Sequence, residues 1–140
     1  MTMPRGACLL PLPLPDGRIE RSVLFAVRRM AAHGVRDVSA AWLILDVFST
    51  GFRRPLVLLR AFMLELSHAA TGPIRVAPCC TPRMTEHEGL IMLALFGASR
   101  DMAAAEDALA QLTGNARVFE PLSAAAVFGR AIGEQARVDG

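Results

Sequence analysis

Apolar positions along this chain recur at helical spacings of three and four residues, and no segment alternates as a strand does. In the first periodic segment, apolar residues fall on one helical face and arginines on the other: Ile19, Val23, Val27 and Met30 against Arg18, Arg21, Arg28 and Arg29. We expect a helix that starts at Asp16, as its N-cap, and runs to about His33, where Gly34 ends it.

The next two segments are more apolar than the first. Asp37 caps a second helix to about Ser49, and its polar stripe is so narrow that we expect Trp42 to be buried. Pro55 fits the first turn of a third helix, which reaches about Ala70. Because that segment is apolar on nearly all sides, it is predicted to be the central helix of the fold.

Three further helices complete the pattern. Thr85 and Glu88 have the spacing of a capping box and open a fourth, internal helix. A fifth helix ends at Gly114, and a sixth follows Pro121. Short connections between helices favour packing of neighbours in sequence.

The first residues differ from the rest of the chain. Prolines interrupt residues 1–15, which therefore predict an extended, proline-rich arm. At this length the remainder, residues 16–140, is expected to form one domain with a single core. The predicted fold is therefore all-α: an antiparallel bundle of about five to six helices in a single domain, preceded by the arm.

Composition narrows the function. The 15 basic residues are all arginine, and without lysine the chain has neither a P-loop of the usual type nor a Schiff-base nucleophile. A net charge of +2 is too small for a nucleic-acid or anionic-lipid footprint, and the second helix lacks the basic side chains of a recognition helix. We therefore expect no nucleic-acid partner. A hydrophobic fraction of 53% favours self-association or a protein partner.

Membrane insertion and export are not expected. No apolar stretch reaches the roughly 18 residues of a membrane span. Residues 1–17 lack the continuous apolar segment of a signal peptide, so the expected location is the cytoplasm. Three cysteines, an odd number, argue against a disulfide framework.

The segment before the fourth helix is the candidate site. Two adjacent thiols, Cys79 and Cys80, lie between prolines and run into a helix N-terminus, where the helix dipole favours an anion such as a thiolate. Arg75 and Arg83 flank them and favour the thiolates further. The functional expectation therefore centres on residues 79–88.

A metal site is the first interpretation of this segment. Thiolate and imidazole ligands suit zinc, and four residues are candidates: Cys79, Cys80, His87 and His68. Adjacent cysteines direct both sulfurs to one ion less readily than the usual C-x₂-C pair, and His68 must come from the end of another helix.

Three other interpretations stay open. Cys79 and Cys80 are candidates for a redox switch, in which they resolve each other or meet Cys8. Alternatively, the helix N-terminus binds an anion or small ligand with the candidate residues Arg75, Arg83 and Thr85. In the last interpretation the cysteines are only small apolar residues that fill a tight loop.

Several segments resemble a small alphaproteobacterial family that is described only as a domain of unknown function. They are residues 28–34, 51–58, 78–80 and 83–85, and the resemblance extends over about residues 20–98. The family's cysteine-rich loop, followed by Arg-Met-Thr and an acidic residue, is matched by Cys79, Cys80, Arg83, Met84, Thr85 and Glu88. Pro82 stands where a further cysteine is often found, which weighs against a metal site here. The resemblance implies no activity, cofactor or partner.

Together these patterns favour a non-catalytic cytoplasmic binding or regulatory domain, with residues 79–88 as its ligand or metal site. The alternative is a small thiol- or metal-dependent enzyme, or a redox sensor, that uses Cys79 or Cys80 with His87 as base.

Overall fold

The computed structural model describes residues 10–139, and side chains as far as residue 135. Cys8 and most of the arm therefore lie outside the described residues. Within residues 10–139, six helices and two very short strands occur in the order β1 (Leu12–Pro13), α1 (Arg18–His33), α2 (Val38–Phe48), α3 (Arg53–Ala69), β2 (Arg83–Met84), α4 (Glu86–Gly97), α5 (Met102–Thr113) and α6 (Phe119–Asp139), with a 3₁₀ turn at Ser49–Gly51 after α2. The all-α prediction is confirmed.

Most helix boundaries follow from capping groups. The Asp37 carboxylate accepts a hydrogen bond from the Ala40 N–H at 2.9 Å and starts α2, as expected. Gly114 ends α5 in the left-handed region, at a φ of 70°. The start of α1 was wrongly predicted, because its N-cap is Gly17 rather than Asp16, and no side chain caps it.

One apolar core joins the helices. Helix α3 packs chiefly against α6, whereas α4 contacts α1, α5 and α6. The rings of Phe96 and Phe128 meet edge to face, 6.0 Å apart between centroids, where α4 crosses α6. Helix α3 is therefore not the central helix that its apolar sequence predicts, since Val57 and Leu64 on its outer side remain exposed.

Helix α4 and helix α6 approach each other closely at Gly129. A Cβ atom at this position would lie 3.0 Å from the Leu95 carbonyl oxygen and 3.1 Å from the Ser99 hydroxyl. The absence of a side chain is what allows this approach. One turn further along α6, a Cβ at Gly133 would meet nothing within 4 Å.

Trp42 is exposed, contrary to the prediction of a buried residue. Helix α2 buries only the stripe Ala40, Ile44 and Phe48, mainly against α1. Trp42 lies on the opposite side with 64% of its surface exposed. An apolar sequence therefore does not mean that this helix is buried on all sides.

Part of the arm pairs with the loop before α4. Leu12 and Pro13 form a short antiparallel ladder with Met84 and Arg83, which the sequence did not predict. The Leu12 side chain lies against Gly89 of α4, so closely that a Cβ there would collide with it. With Leu14 it covers a small satellite core of Leu24, Met84 and Met92. In the described part of the chain, no helix combines the length and the apolarity of a membrane span.

Candidate functional site

A buried ion pair lies beneath the cysteine-containing loop. The Arg28 Nε donates to the Glu88 carboxylate at 2.8 Å, and its Nη2 donates to the other carboxylate oxygen at 3.0 Å. Neither side chain is exposed to solvent. Arg28 was expected on the outer face of α1, so this placement is a correction. The paired acid is on α4, and the bidentate contact makes burial of the guanidinium tolerable.

The remaining guanidinium hydrogens hold the loop backbone. Arg28 Nη1 donates to the carbonyl oxygens of Cys79 and Thr81 at 3.1 and 2.8 Å, and Nη2 donates to that of Arg83 at 2.8 Å. Every N–H of the guanidinium is thus used. One side chain from α1 therefore fixes the loop at three points.

Glu88 binds the loop from the other side. Its carboxylate accepts hydrogen bonds from the backbone N–H groups of Ala77 and Thr85, at 3.0 and 2.9 Å. The Thr85 hydroxyl accepts in return from the Glu88 N–H at 3.0 Å, which completes the predicted capping box. The capping residue identified in the sequence is thus also the centre of a buried polar network.

Cys79 and Cys80 occupy the two central positions of a β-turn, which we call the cysteine turn (residues 78–81). The Thr81 N–H donates to the Pro78 carbonyl at 3.1 Å and closes it. Cys79 is half-buried and Cys80 is exposed, and both thiols are free. The turn is therefore held from below by Arg28 while one of its thiols faces solvent.

The electrostatics of Cys79 differ from the expected activation of the thiols. Burial is the main cause that raises the pKa of Cys79, and the electrostatic influence of the neighbouring Cys80 raises it further. The positive charges of Arg29 and Arg28 act in the opposite direction without reversing the shift. Arg29 itself forms a bidentate pair with Asp37, at 3.2 and 3.3 Å.

A groove opens on the other side of the loop, with a cavity volume of about 760 Å³. We call it the loop groove, and its lining combines proline-rich and polar residues: Leu10, Pro11, Pro73, Arg75, Ala77, Pro78, Thr81, Thr85, Glu86 and His87. The backbone of Arg75 is fixed on both sides. Its N–H donates to His87 Nδ1 at 2.7 Å, and its carbonyl accepts from the Thr85 hydroxyl at 2.7 Å.

The side chains of Arg75 and His87 each leave polar atoms free to bind a ligand. Because Nδ1 of His87 accepts a hydrogen bond, Nε2 carries the hydrogen of the neutral ring. The Arg75 guanidinium is exposed and makes no hydrogen bond or ion pair with any residue between 10 and 135. The groove lining therefore offers one guanidinium that no described residue engages and one N–H donor, beside the carboxylate of Glu86.

The other two anion-site candidates already have partners. The Arg83 guanidinium donates to the carbonyl oxygens of Leu10 and Pro11, at 2.8 and 2.7 Å, and so fastens the arm. The Thr85 hydroxyl caps α4 and holds Arg75. Of the three residues singled out for an anion, only Arg75 keeps its polar side-chain atoms unengaged.

The four candidate zinc ligands are not brought together. His68 lies near the end of α3, 75% exposed, with Glu65 at 4.0 Å as its nearest ionic partner. His87 uses Nδ1 for the loop backbone. Within residues 10–135, no three acidic, histidine or cysteine side chains are close enough to share a metal ion. The predicted four-residue set is thus not formed.

Among the described residues, no hydrogen bond joins the His87 imidazole to either thiol, and its Nδ1 accepts from the Arg75 backbone. His87 lines the loop groove, whereas neither cysteine does. The charged neighbours that influence Cys79 are Arg29 and Arg28, which belong to α1.

Sequence reasoning missed Arg28, the residue that organises the site. Its signal was indirect: Glu88 is an acid in a helix that is otherwise apolar over residues 89–97, and a buried acid requires a partner. Helical spacing within α1 could not show that a distant loop covers one of its arginines.

A second cavity, of about 560 Å³, lies between the C-terminal ends of α1 and α3 and residues 70–76. Its lining contains no charged side chain among the described residues. It therefore offers little to fix the orientation of a polar ligand.

Comparison with protein families gives one match over the whole length of the chain. The model of a family of unknown function (DUF6628) matches residues 1–140. No curated protein and no solved structure matches.

Proposed function

We propose that this chain, which belongs to the DUF6628 family of unknown function, is a non-catalytic binding domain that takes a small organic carboxylate into the loop groove. The observation that carries the proposal is the pairing of one unengaged guanidinium, Arg75, with a groove whose walls are already fixed. Arginine matches a carboxylate through charge and parallel hydrogen bonds.

The groove is organised before a ligand arrives. The Arg28–Glu88 pair fixes the loop from below, His87 and Thr85 fix the Arg75 backbone, and the arm forms part of the wall. A ligand therefore binds without the entropic cost of ordering this loop.

The lining also favours one ligand class over others. Leu10 and three prolines give apolar walls for a hydrocarbon body, and His87 Nε2 supplies a neutral donor for a second polar atom. The exposed carboxylate of Glu86 repels a second negative group. We therefore favour a monocarboxylate with an apolar body over a polyphosphate or dicarboxylate.

The test is titration calorimetry of the purified full chain against a panel of monocarboxylates and their uncharged amides. We expect saturable binding of at least one carboxylate and at least tenfold weaker binding of its amide, a difference of about 1.4 kcal/mol. The variant Arg75→Gln should lose that preference. Arg54→Gln, an exposed arginine at the start of α3, is the matched control and should keep it.

Absence of binding by the whole panel, or equal binding by carboxylate and amide, would contradict the proposal. Loss of binding in Arg54→Gln as well would show a nonspecific charge effect instead of a site at Arg75.

Two further parts of the proposal concern location and association. We place the protein in the cytoplasm and assign it a second copy of itself or a protein partner. Three large exposed apolar residues support the association: Trp42 at 64%, Val38 at 68% and Phe119 at 73%. Sedimentation velocity over a range of concentrations tests self-association, and a strictly monomeric chain would leave only the heterologous partner.

A further inference from the structure

The cysteine turn combines two features that ordinary surface cysteines lack. The two thiols are adjacent in sequence, and they occupy the corner of one closed β-turn. Cys80 is exposed, and Cys79 behind it is half-buried. An oxidant in solution therefore reaches one sulfur first, with the second already beside it.

We propose that the cysteine turn is a reversible oxidation site, at which a hydroperoxide converts Cys79 and Cys80 into a vicinal disulfide. The geometry that supports this is the closed turn that holds both cysteines and the exposure of one of them.

The reaction is balanced by one hydroperoxide per turn. The Cys80 thiolate attacks a peroxide oxygen, the O–O bond breaks, and the leaving oxygen takes up a proton as water or alcohol. The sulfur of Cys79 then attacks the resulting sulfenic acid, the S–O bond breaks, and hydroxide leaves with the Cys79 proton as water. Both cysteines together give up two electrons, and the peroxide accepts them.

The product should be easy to reduce. Consecutive Cα atoms are about 3.8 Å apart across a trans peptide, below the range of about 4.4–6.8 Å usual for disulfides. A disulfide between neighbours is therefore strained, and strained disulfides have the higher reduction potentials of labile, regulatory bonds. This favours a reversible modification over a structural crosslink.

Oxidation would also alter the contacts around the turn. Arg28 holds the carbonyls of Cys79 and Thr81, and a disulfide ring changes the backbone between them. Pro78 and Thr81 line the loop groove. A change in ligand affinity on oxidation therefore follows, and only this consequence rests on the proposed function.

The experiment measures the modification without any ligand. The reduced full chain is treated with limiting hydrogen peroxide, quenched by alkylation and digested with trypsin. Cleavage after Arg75 and Arg83 releases both cysteines in the peptide of residues 76–83, whereas Cys8 falls in a different peptide, which ends at Arg18. We expect peptide 76–83 to lose the mass of two hydrogen atoms, to escape alkylation, and to recover both thiols after dithiothreitol.

Single variants separate the vicinal disulfide from other products. Cys79→Ser and Cys80→Ser should abolish the loss of two hydrogens, and Cys8→Ser should leave it unchanged. A peptide 76–83 that stays reduced, gains oxygen irreversibly, or appears crosslinked to Cys8 or to a second chain would overturn the proposal. None of these results depends on whether the groove binds a carboxylate.

Discussion

Replacing Glu88 with glutamine tests whether the buried ion pair holds the loop in place. The substitution keeps the size of the side chain but puts an NH₂ group where a carboxylate oxygen now accepts from Arg28 Nε and from the Ala77 N–H. Donors then face donors around a buried, unpaired guanidinium. Removing one charge of a buried pair costs about 3–5 kcal/mol. Because glutamine retains one acceptor oxygen, we expect the free energy of unfolding to fall by about 3 kcal/mol, which lowers the melting temperature by roughly 10 °C.

The assay is urea unfolding followed by circular dichroism, with the exposed pair Arg18–Asp46 as reference. That pair has a separation of 3.3 Å, and its side chains are 69% and 72% exposed. Asp46→Asn should therefore cost less than about 1 kcal/mol. Equal losses of unfolding free energy in Glu88→Gln and Asp46→Asn would refute the assigned role of the buried pair.

A double variant sharpens this test. An isolated buried ion pair can often be replaced by apolar residues without loss of stability. Here Arg28→Met with Glu88→Leu also deprives the backbone of its partners, among them the carbonyls of Cys79 and Thr81. At about 1–3 kcal/mol for each buried polar group left unsatisfied, we expect the double variant to stay at least about 3 kcal/mol below the wild type. Recovery to wild-type stability would show that the loop does not depend on these bonds.

Three further predictions concern packing, acid sensitivity and thiol reactivity. Gly129→Ala should destabilise the fold by about 1 kcal/mol or more, because its Cβ meets a carbonyl oxygen of α4. Gly133→Ala, in open space on the same helix, should stabilise the fold by about 0.5–1 kcal/mol. Urea unfolding of both variants measures these opposite effects on stability. The hydrogen bond from Arg29 lowers the pKa of Asp37 in the folded state. The contribution of Asp37 to the stability of the fold is therefore complete above its unfolded pKa of about 3.9, and it is lost as the pH falls through the lower folded pKa. Asp37→Asn should therefore flatten the acid limb of a pH–stability curve, and an unchanged limb would contradict the assignment. Iodoacetamide should alkylate Cys80 before Cys79, because Cys80 is exposed and burial raises the pKa of Cys79; the reverse order, read by peptide mass, would be inconsistent with the structure.

Local signals predicted the helices well. Asp37, Gly34 and the Thr85–Glu88 capping box act within a few residues of their own position, so the sequence contains nearly all the information needed to place them. These successes depend on interactions whose partners lie three or four residues apart.

Long-range interactions explain what the sequence did not predict. Arg28 reads as an outward-facing arginine in α1, and only the fold brings Glu88 and the loop carbonyls over it. Trp42 reads as a core residue, because the apolar content of α2 does not say how many neighbours the helix has. Arg83 was expected to bind an anion, but its guanidinium instead donates to a backbone carbonyl of the arm. Each error concerns which surface covers a side chain.

The Arg28–Glu88 pair also bears on the order of events during synthesis. Its two residues lie 60 positions apart in the chain. At about 5–20 residues per second, Arg28 waits about 3–12 s on the ribosome before Glu88 is made. Helices α1 and α2 can pack together in this interval, but the guanidinium has to remain hydrated until its partner arrives. The loop and the arm that pairs with it are therefore late to fold.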